Sequence, residues 1–411
     1  MKGTYSIYIS GYDWGCGVSK VLIALDSQLD SISKDDLKVV ETKQICHFSK
    51  KDYPIEVVEI ERQIINVYLC DQSANAVQGS SNYIALELYV SPEMGSPLLF
   101  SMKTQFNTWS DPYFLTITKN DNARLTSQGS MVKDFNIDTE FTDKITDADV
   151  FKLDHFQSSD HTLYRYAYYD VPSSDTLIVW LHGLGEGGVN QTDPYVTLLA
   201  NKVTALTSHK FQEIVGKVNI LVPQCPTYWM DKDGKQTNLN NGHIIADDNS
   251  FYQESLNELI LYFQKRCQAK RVILVGCSNG GYMSLLMAIK YPKQYRAIIP
   301  ICEALKDECI TDEQLSSIKD LPMFFIYSKD DPVVLPSLHE IPTIKRLKAM
   351  SASPLHVSTF DHVIDTSGKY NDDKGNPYQY NGHWSWIYFD NNEAKCDESH
   401  QLVWQWIKEQ I

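Results

Sequence analysis

The 411-residue sequence predicts two domains, an all-β sandwich followed by a larger α/β domain on a mainly parallel sheet. Three observations predict this. The first 120 residues carry short β-type runs separated by turn-forming stretches. From residue 150 onward, continuous apolar runs alternate with helix-compatible segments, the pattern of a parallel sheet covered on both faces. The third is a single stretch, RVILVGCSNGGYMSLLM at 271–287, in which a strand-like run passes through a glycine-rich turn into an apolar helical segment. The length itself favours two cores over one.

In the first domain, strands are expected at 5–10, 20–24, 37–41, 64–69, 83–90 and 113–118, which together suit a sandwich over residues 1–120. Nothing in it gathers a nucleophile with a base, so its expected role is support, shaping of an entrance, or association into a homo-oligomer. Residues 121–149 are polar and read as a linker that wraps back onto the second domain. In the second domain, 150–411, strands are expected at 176–181, 218–222, 271–275, 297–301, 323–327 and 356–360. A helix is marked at 250–267 by the capping-box spacing of Ser250 and Gln253, and another closes the chain at 399–408.

Composition excludes several function classes. Acidic residues outnumber basic ones, 52 to 37, for a formal charge of -15. That balance disfavours nucleic acid and anionic membrane surfaces, which require clustered Lys and Arg. The nine cysteines show no C-x-x-C pair, and their odd number suits free thiols in a reducing compartment. No apolar run approaches a membrane span, and YSIYIS at 5–10 alternates like a strand, unlike the core of a leader. A cytoplasmic protein is expected; a leader removed ahead of Met1 would make secretion the alternative.

The chemistry concentrates in the second domain. Gly276-Cys277-Ser278-Asn279-Gly280 is a G-x-S-x-G turn, which holds its serine out at the end of the sheet above a helix N-terminus. The same residues also fit a strand-to-helix turn of no chemical consequence, so neighbouring motifs decide. After the run TLIVWL comes His182-Gly183-Leu184-Gly185-Glu186-Gly187-Gly188. Gly183, Gly185 and Gly188 satisfy G-x-G-x-x-G, but the following strand ends in Pro223-Gln224 where a dinucleotide site needs an acid. An oxyanion loop is the better reading.

An acid follows the run MFFIY, at Asp331 or its neighbour Asp330, and a histidine, His383, stands in Asn381-Gly382-His383-Trp384. Nucleophile, acid and base then occur in the chain order of the α/β-hydrolase fold. Cys277 reads as a small buried hydrophobe beside the serine. Glu186, Trp229 and Trp384 are candidates for a substrate pocket, with Tyr228, Tyr282 and Trp386 behind them. Asp231-Lys232-Asp233-Gly234 places its glycine too early for a calcium loop and reads as a solvated turn, so no metal or cofactor is called for.

Taken together, HGLGEGG, VPQCP, VGCSNGGY, KDDPVV and GHWSWIY resemble α/β-hydrolase esterases of the group also termed predicted peptidases, over 150–411. Asp13-Trp14-Gly15 followed by SKVLIALD resembles the immunoglobulin-like domain that some of these esterases carry at the N-terminus. The resemblance implies metal-free hydrolysis of small, often short-chain, carboxylic esters. It also implies Asp331 as the acid, through D-x-x-V, and the Leu184 N–H beside that of Asn279 as oxyanion donors. Trp384 directly after the histidine and the long segment 361–381 depart from the pattern. A serine peptidase with the same triad and an inert binding module are the competing functions.

Overall fold

Whether a segment becomes an edge strand or a linker depends on the backbone partner it finds, and residues 121–149 find one in the first domain. In the computed structural model, which describes residues 1–188 and 193–411, the chain divides into two units, Met1–Asp149 and Val150–Ile411. Asn136–Ile137 and Asp143–Thr146 both pair in parallel with the first strand, Lys2–Tyr12. The expected linker is therefore sheet material of the first unit. Its polarity misleads because these are edge segments with one face in water.

The first unit holds a six-stranded sheet, ordered 136–137, 2–12, 15–29, 81–88, 64–70 with 143–146 beside 2–12, and a three-stranded sheet of 55–62, 37–46 and 113–119. Alternate residues of Lys2–Tyr12, namely Tyr5, Ile7 and Ile9, are buried, as are Val39, Leu115 and Ile117 of the smaller sheet. Tyr5 ties the two sheets together: its hydroxyl accepts the Leu115 N–H at 2.7 Å and donates to the Thr139 carbonyl at 2.8 Å. Arg62 is buried with Glu41, their Nη1 and Oε1 atoms 2.9 Å apart, and its Nη2 donates to the Val18 and Tyr89 carbonyls.

The second unit is built on an eight-stranded sheet, ordered 152–157, 163–169, 219–224, 176–181, 271–277, 297–301, 323–328, 355–360. The six strands from Thr176–Leu181 onward are parallel, and five of them are buried along their whole length or all but the first residue. The hairpin Lys152–Gln157 and Leu163–Tyr169 adds the antiparallel edge. Sequence reading misses both of its strands, since Lys152–Gln157 is largely exposed and carries no apolar alternation.

The expected helix at 250–267 is realised as Gln253–Arg266, preceded by Tyr252; the Ser250 hydroxyl accepts the Tyr252 N–H instead of closing a capping box. No helix among the described residues is long and apolar enough to cross a membrane.

Candidate active site

The strand Arg271–Cys277 runs into the helix Asn279–Lys290 through one residue, Ser278, whose backbone sits at φ 56° and ψ -115°. That conformation is costly for a residue with a side chain, of order 1–3 kcal/mol, and persists only where the surroundings enforce it. They do so through glycine. A Cβ on Gly280 would lie 1.8 Å from the Leu181 carbonyl oxygen, and one on Gly276 would lie 2.3 Å from that of Gly280. Only glycine lets the helix start this close to the sheet. The Ser278 N–H donates to the Ile301 carbonyl at 2.8 Å, which locks the turn to the neighbouring strand.

Two loops at the C-terminal ends of parallel strands, after 323–328 and 355–360, bring partners to this serine. His383 Nε2 lies 2.8 Å from Ser278 Oγ, and its Nδ1 lies 2.7 Å from Asp331 Oδ2. An ionised carboxylate only accepts, so Nδ1 carries the proton and Nε2 is the lone pair facing the hydroxyl. The other oxygen of Asp331 accepts the Val333 and Val334 N–H groups at 2.8 and 2.9 Å. Asp331 and His383 are buried while Ser278 remains partly open.

The structure also separates the two adjacent aspartates. Asp330 turns to Ser328 and to His362, its Oδ2 standing 2.8 Å from the His362 Nδ1, and it packs where a Cβ on Gly382 would be. It supports the loop that carries His383 without touching the imidazole.

The glycine-rich loop after Thr176–Leu181 forms a short 3-10 turn, Leu184–Glu186, with Leu184 partly exposed. His182, which sequence reading left without a role, anchors this loop. Its Nε2 accepts the Cys225 N–H at 2.9 Å and its Nδ1 donates to the Gly183 carbonyl at 2.6 Å. Burial pushes its pKa down to about 4, against a small opposing pull from the Gly183 carbonyl, which fixes the neutral ring that both bonds require. The Gly188 N–H donates to the Cys225 carbonyl at 2.7 Å, and the Gln224 side chain donates to the Glu186 carbonyl. Asn279 opens the helix that follows Ser278, where no preceding turn supplies an acceptor for its N–H.

The pocket expectations divide. Trp229 is a correction: it is fully buried, its ring packed against His182 and Tyr164 and its backbone N–H donated to Asn279 Oδ1, so it braces the site from within and offers no face to a substrate. Tyr228 and Tyr282 are likewise buried. Glu186 is buried inside the glycine-rich loop, its carboxylate close to Gly183. Trp384 is half-buried and continues through Trp386, 6.1 Å away between ring centres, to the edge of the His383 ring. Burial holds the Cys277 thiol well above its ordinary pKa, so it is no thiolate. Asp231 and Asp233 accept N–H and hydroxyl groups of their own turn. Among the described residues no group of three or more His, Cys, Asp or Glu side chains is placed to hold a metal ion.

A mainly parallel sheet with a strained serine turn after its central strand defines an α/β-hydrolase. Residues 170–366 match the family described as phospholipase/carboxylesterase, and residues 4–131 match the esterase Ig-like N-terminal domain. The chain is thus a hydrolase of the carboxylesterase class with an Ig-like domain ahead of its α/β-hydrolase domain.

Among solved structures, one described as a thermostable esterase is 21% identical with a TM-score of 0.69, covering 95% of this chain and 96% of its own. A phospholipase/carboxylesterase from Dyadobacter fermentans is 15% identical at a TM-score of 0.35, covering 52% of this chain and 93% of its own. No curated protein sequence matches the chain.

Proposed function

We propose that the protein hydrolyses small carboxylic esters through an acyl-enzyme on Ser278. The observation that carries this reading is the pair of contacts at His383, 2.8 Å to Ser278 Oγ and 2.7 Å to Asp331 Oδ2. As Ser278 Oγ attacks the acyl carbonyl, His383 Nε2 takes its proton and returns it to the leaving alkoxide, releasing the alcohol. Water then repeats the sequence on the acyl-enzyme and frees the acid. Asp331 keeps the imidazole in the required tautomer and stabilises its charged form. The N–H groups of Leu184 and Asn279 receive the developing oxyanion. Short acyl chains are the preferred substrates in this reading, which the family resemblance supports.

Net charge and cysteine usage support the rest of the proposal. A charge of -15 disfavours polyanionic partners. All nine cysteines are free, in keeping with a reducing compartment such as the cytoplasm.

The test is labelling with a fluorophosphonate probe, with the adduct mapped by mass spectrometry, alongside turnover of p-nitrophenyl acetate. Wild type is expected to carry the adduct on Ser278, and Ser278→Ala to lose both the adduct and about 10⁶ in kcat. Near-wild-type turnover by folded Ser278→Ala would overturn the reading. Comparing p-nitrophenyl esters with the matching anilides decides between esterase and peptidase.

A further inference from the structure

Two carboxylic side chains that the reaction does not use lie behind the triad. Glu303 follows the strand Ala297–Ile301, whose last carbonyl accepts the Ser278 N–H, and its backbone packs where a Cβ on Gly281 would be. Glu340 opens the helix Glu340–Ala349, nine residues beyond Asp331. The two segments are joined: the Asp307 N–H donates to the Leu338 carbonyl at 3.1 Å, and Thr343 Oγ1 and Arg346 Nη1 donate to Asp307 Oδ1 at 3.0 and 2.9 Å. Both glutamates are fully buried. Glu303 Oε2 accepts the Leu305 N–H at 2.7 Å, but among the described residues Glu303 Oε1 and both oxygens of Glu340 make no hydrogen bond of ordinary geometry, the backbone N–H groups of Glu303 and Glu340 being the donors that face Glu340.

Two ionised carboxylates in that position would stand desolvated, beside each other and close to Asp331, a combination that strongly disfavours the doubly charged pair. A retained proton removes the conflict, since a carboxylic O–H supplies the donor that those oxygens lack. The groups facing the pair are Asp331 from the acid loop, Asp307 from the turn that follows Glu303, and Cys302, itself beside Cys277, from the strand end; His339 precedes Glu340 on its own segment.

We infer that Glu303 and Glu340 form a proton-sharing carboxyl pair that backs Asp331 and positions the acid loop against the nucleophile's helix. They are positioning residues: neither touches Ser278 or His383. Their place behind the triad rests on the esterase reading, whereas the shared proton does not.

Burial, opposed only in part by the Leu305 N–H, pushes the Glu303 carboxyl up to about 8, and burial followed by the Glu303 charge pushes Glu340 up as well, against a smaller pull from the Glu340 and Glu303 backbone N–H groups. A carboxyl whose folded value is raised holds a proton that the unfolded chain releases. Its stabilising contribution is therefore full below the usual glutamate range and is lost as pH climbs to about 8.

Three readouts test the pair on the full chain, with Glu303→Gln and Glu340→Gln as variants. In infrared spectra at neutral pH, wild type is expected to show the carbonyl band of a buried protonated carboxyl, weakened in each variant and lost at alkaline pH. The melting temperature of Glu303→Gln relative to wild type is expected to rise from pH 5 to pH 8 and then level off, a change in linked protons of up to about one. The alkaline limb of kcat/KM is expected to move up by about one pH unit in Glu303→Gln. A pH-independent gap in melting temperature, or no protonated-carboxyl band in wild type, would overturn the pair. Should the variants not fold, the wild-type infrared titration alone decides. A band without any shift in the kinetic limb would leave the proton in place and remove the link to the triad.

Discussion

At the scale of single residues, the two neighbouring aspartates make the sharpest comparison. Asp331 combines a contact to His383 with two backbone N–H donors, so its charge is aimed at the imidazole and held there. Asp330 has its oxygens engaged by Ser328 and His362. Asp331→Asn is expected to lower kcat by about 10⁴ with the fold intact, since an amide at Oδ2 favours the wrong imidazole tautomer. Asp330→Asn is expected to cost far less, and steady-state kinetics of the two variants side by side checks the assignment. Equal losses would mean that the acid role is shared. In the sequence this choice rested on Asp331-Pro332-Val333-Val334 alone. His182 was not legible as an anchor, because the group it holds, the Cys225 N–H, is brought to it only by sheet pairing.

Secondary-structure elements enter through the two turns that flank the serine. The serine turn is legible because its constraint is local: the glycines that let strand and helix approach lie two residues on either side of Ser278. The glycine-rich loop is only half legible, since its shape depends on the neutral His182 ring. His182→Ala is expected to lower kcat by about 10²–10³, the loss seen when one oxyanion donor is misplaced, with KM changing little. An unchanged kcat would show that the loop holds its shape without the anchor. The hairpin strand Lys152–Gln157 and the edge segments at 136–137 and 143–146 were illegible because edge segments exposed to water carry no apolar run. Leu163–Tyr169 is buried at alternate and then successive positions, and was missed because its polar hairpin partner gave no sign of a sheet there.

At the scale of the whole molecule, each unit keeps a polar group where apolar packing would be expected, and in each the arrangement is testable as energy. Within Met1–Asp149 that group is the buried Arg62–Glu41 pair, with Tyr113 Oη donating to Glu41 Oε1 at 2.7 Å. Sequence cannot reveal such a pair, because Arg62 closes a strand that is mostly exposed and reads as a surface cation. A buried ion pair adds little net stability, since the desolvation of both charges offsets their attraction, but removing one partner strands the other. Arg62→Ala is therefore expected to cost the first unit about 3–5 kcal/mol. Arg62→Met with Glu41→Leu, which removes both charges and keeps most of the volume, is expected to recover the greater part of that loss. Urea unfolding of wild type, single and double variants, with fragments of residues 1–149 followed by limited proteolysis, measures both quantities. A double variant no more stable than Arg62→Ala would mean that the guanidinium's bonds to the Val18 and Tyr89 carbonyls, rather than the charge pair, hold these strands together.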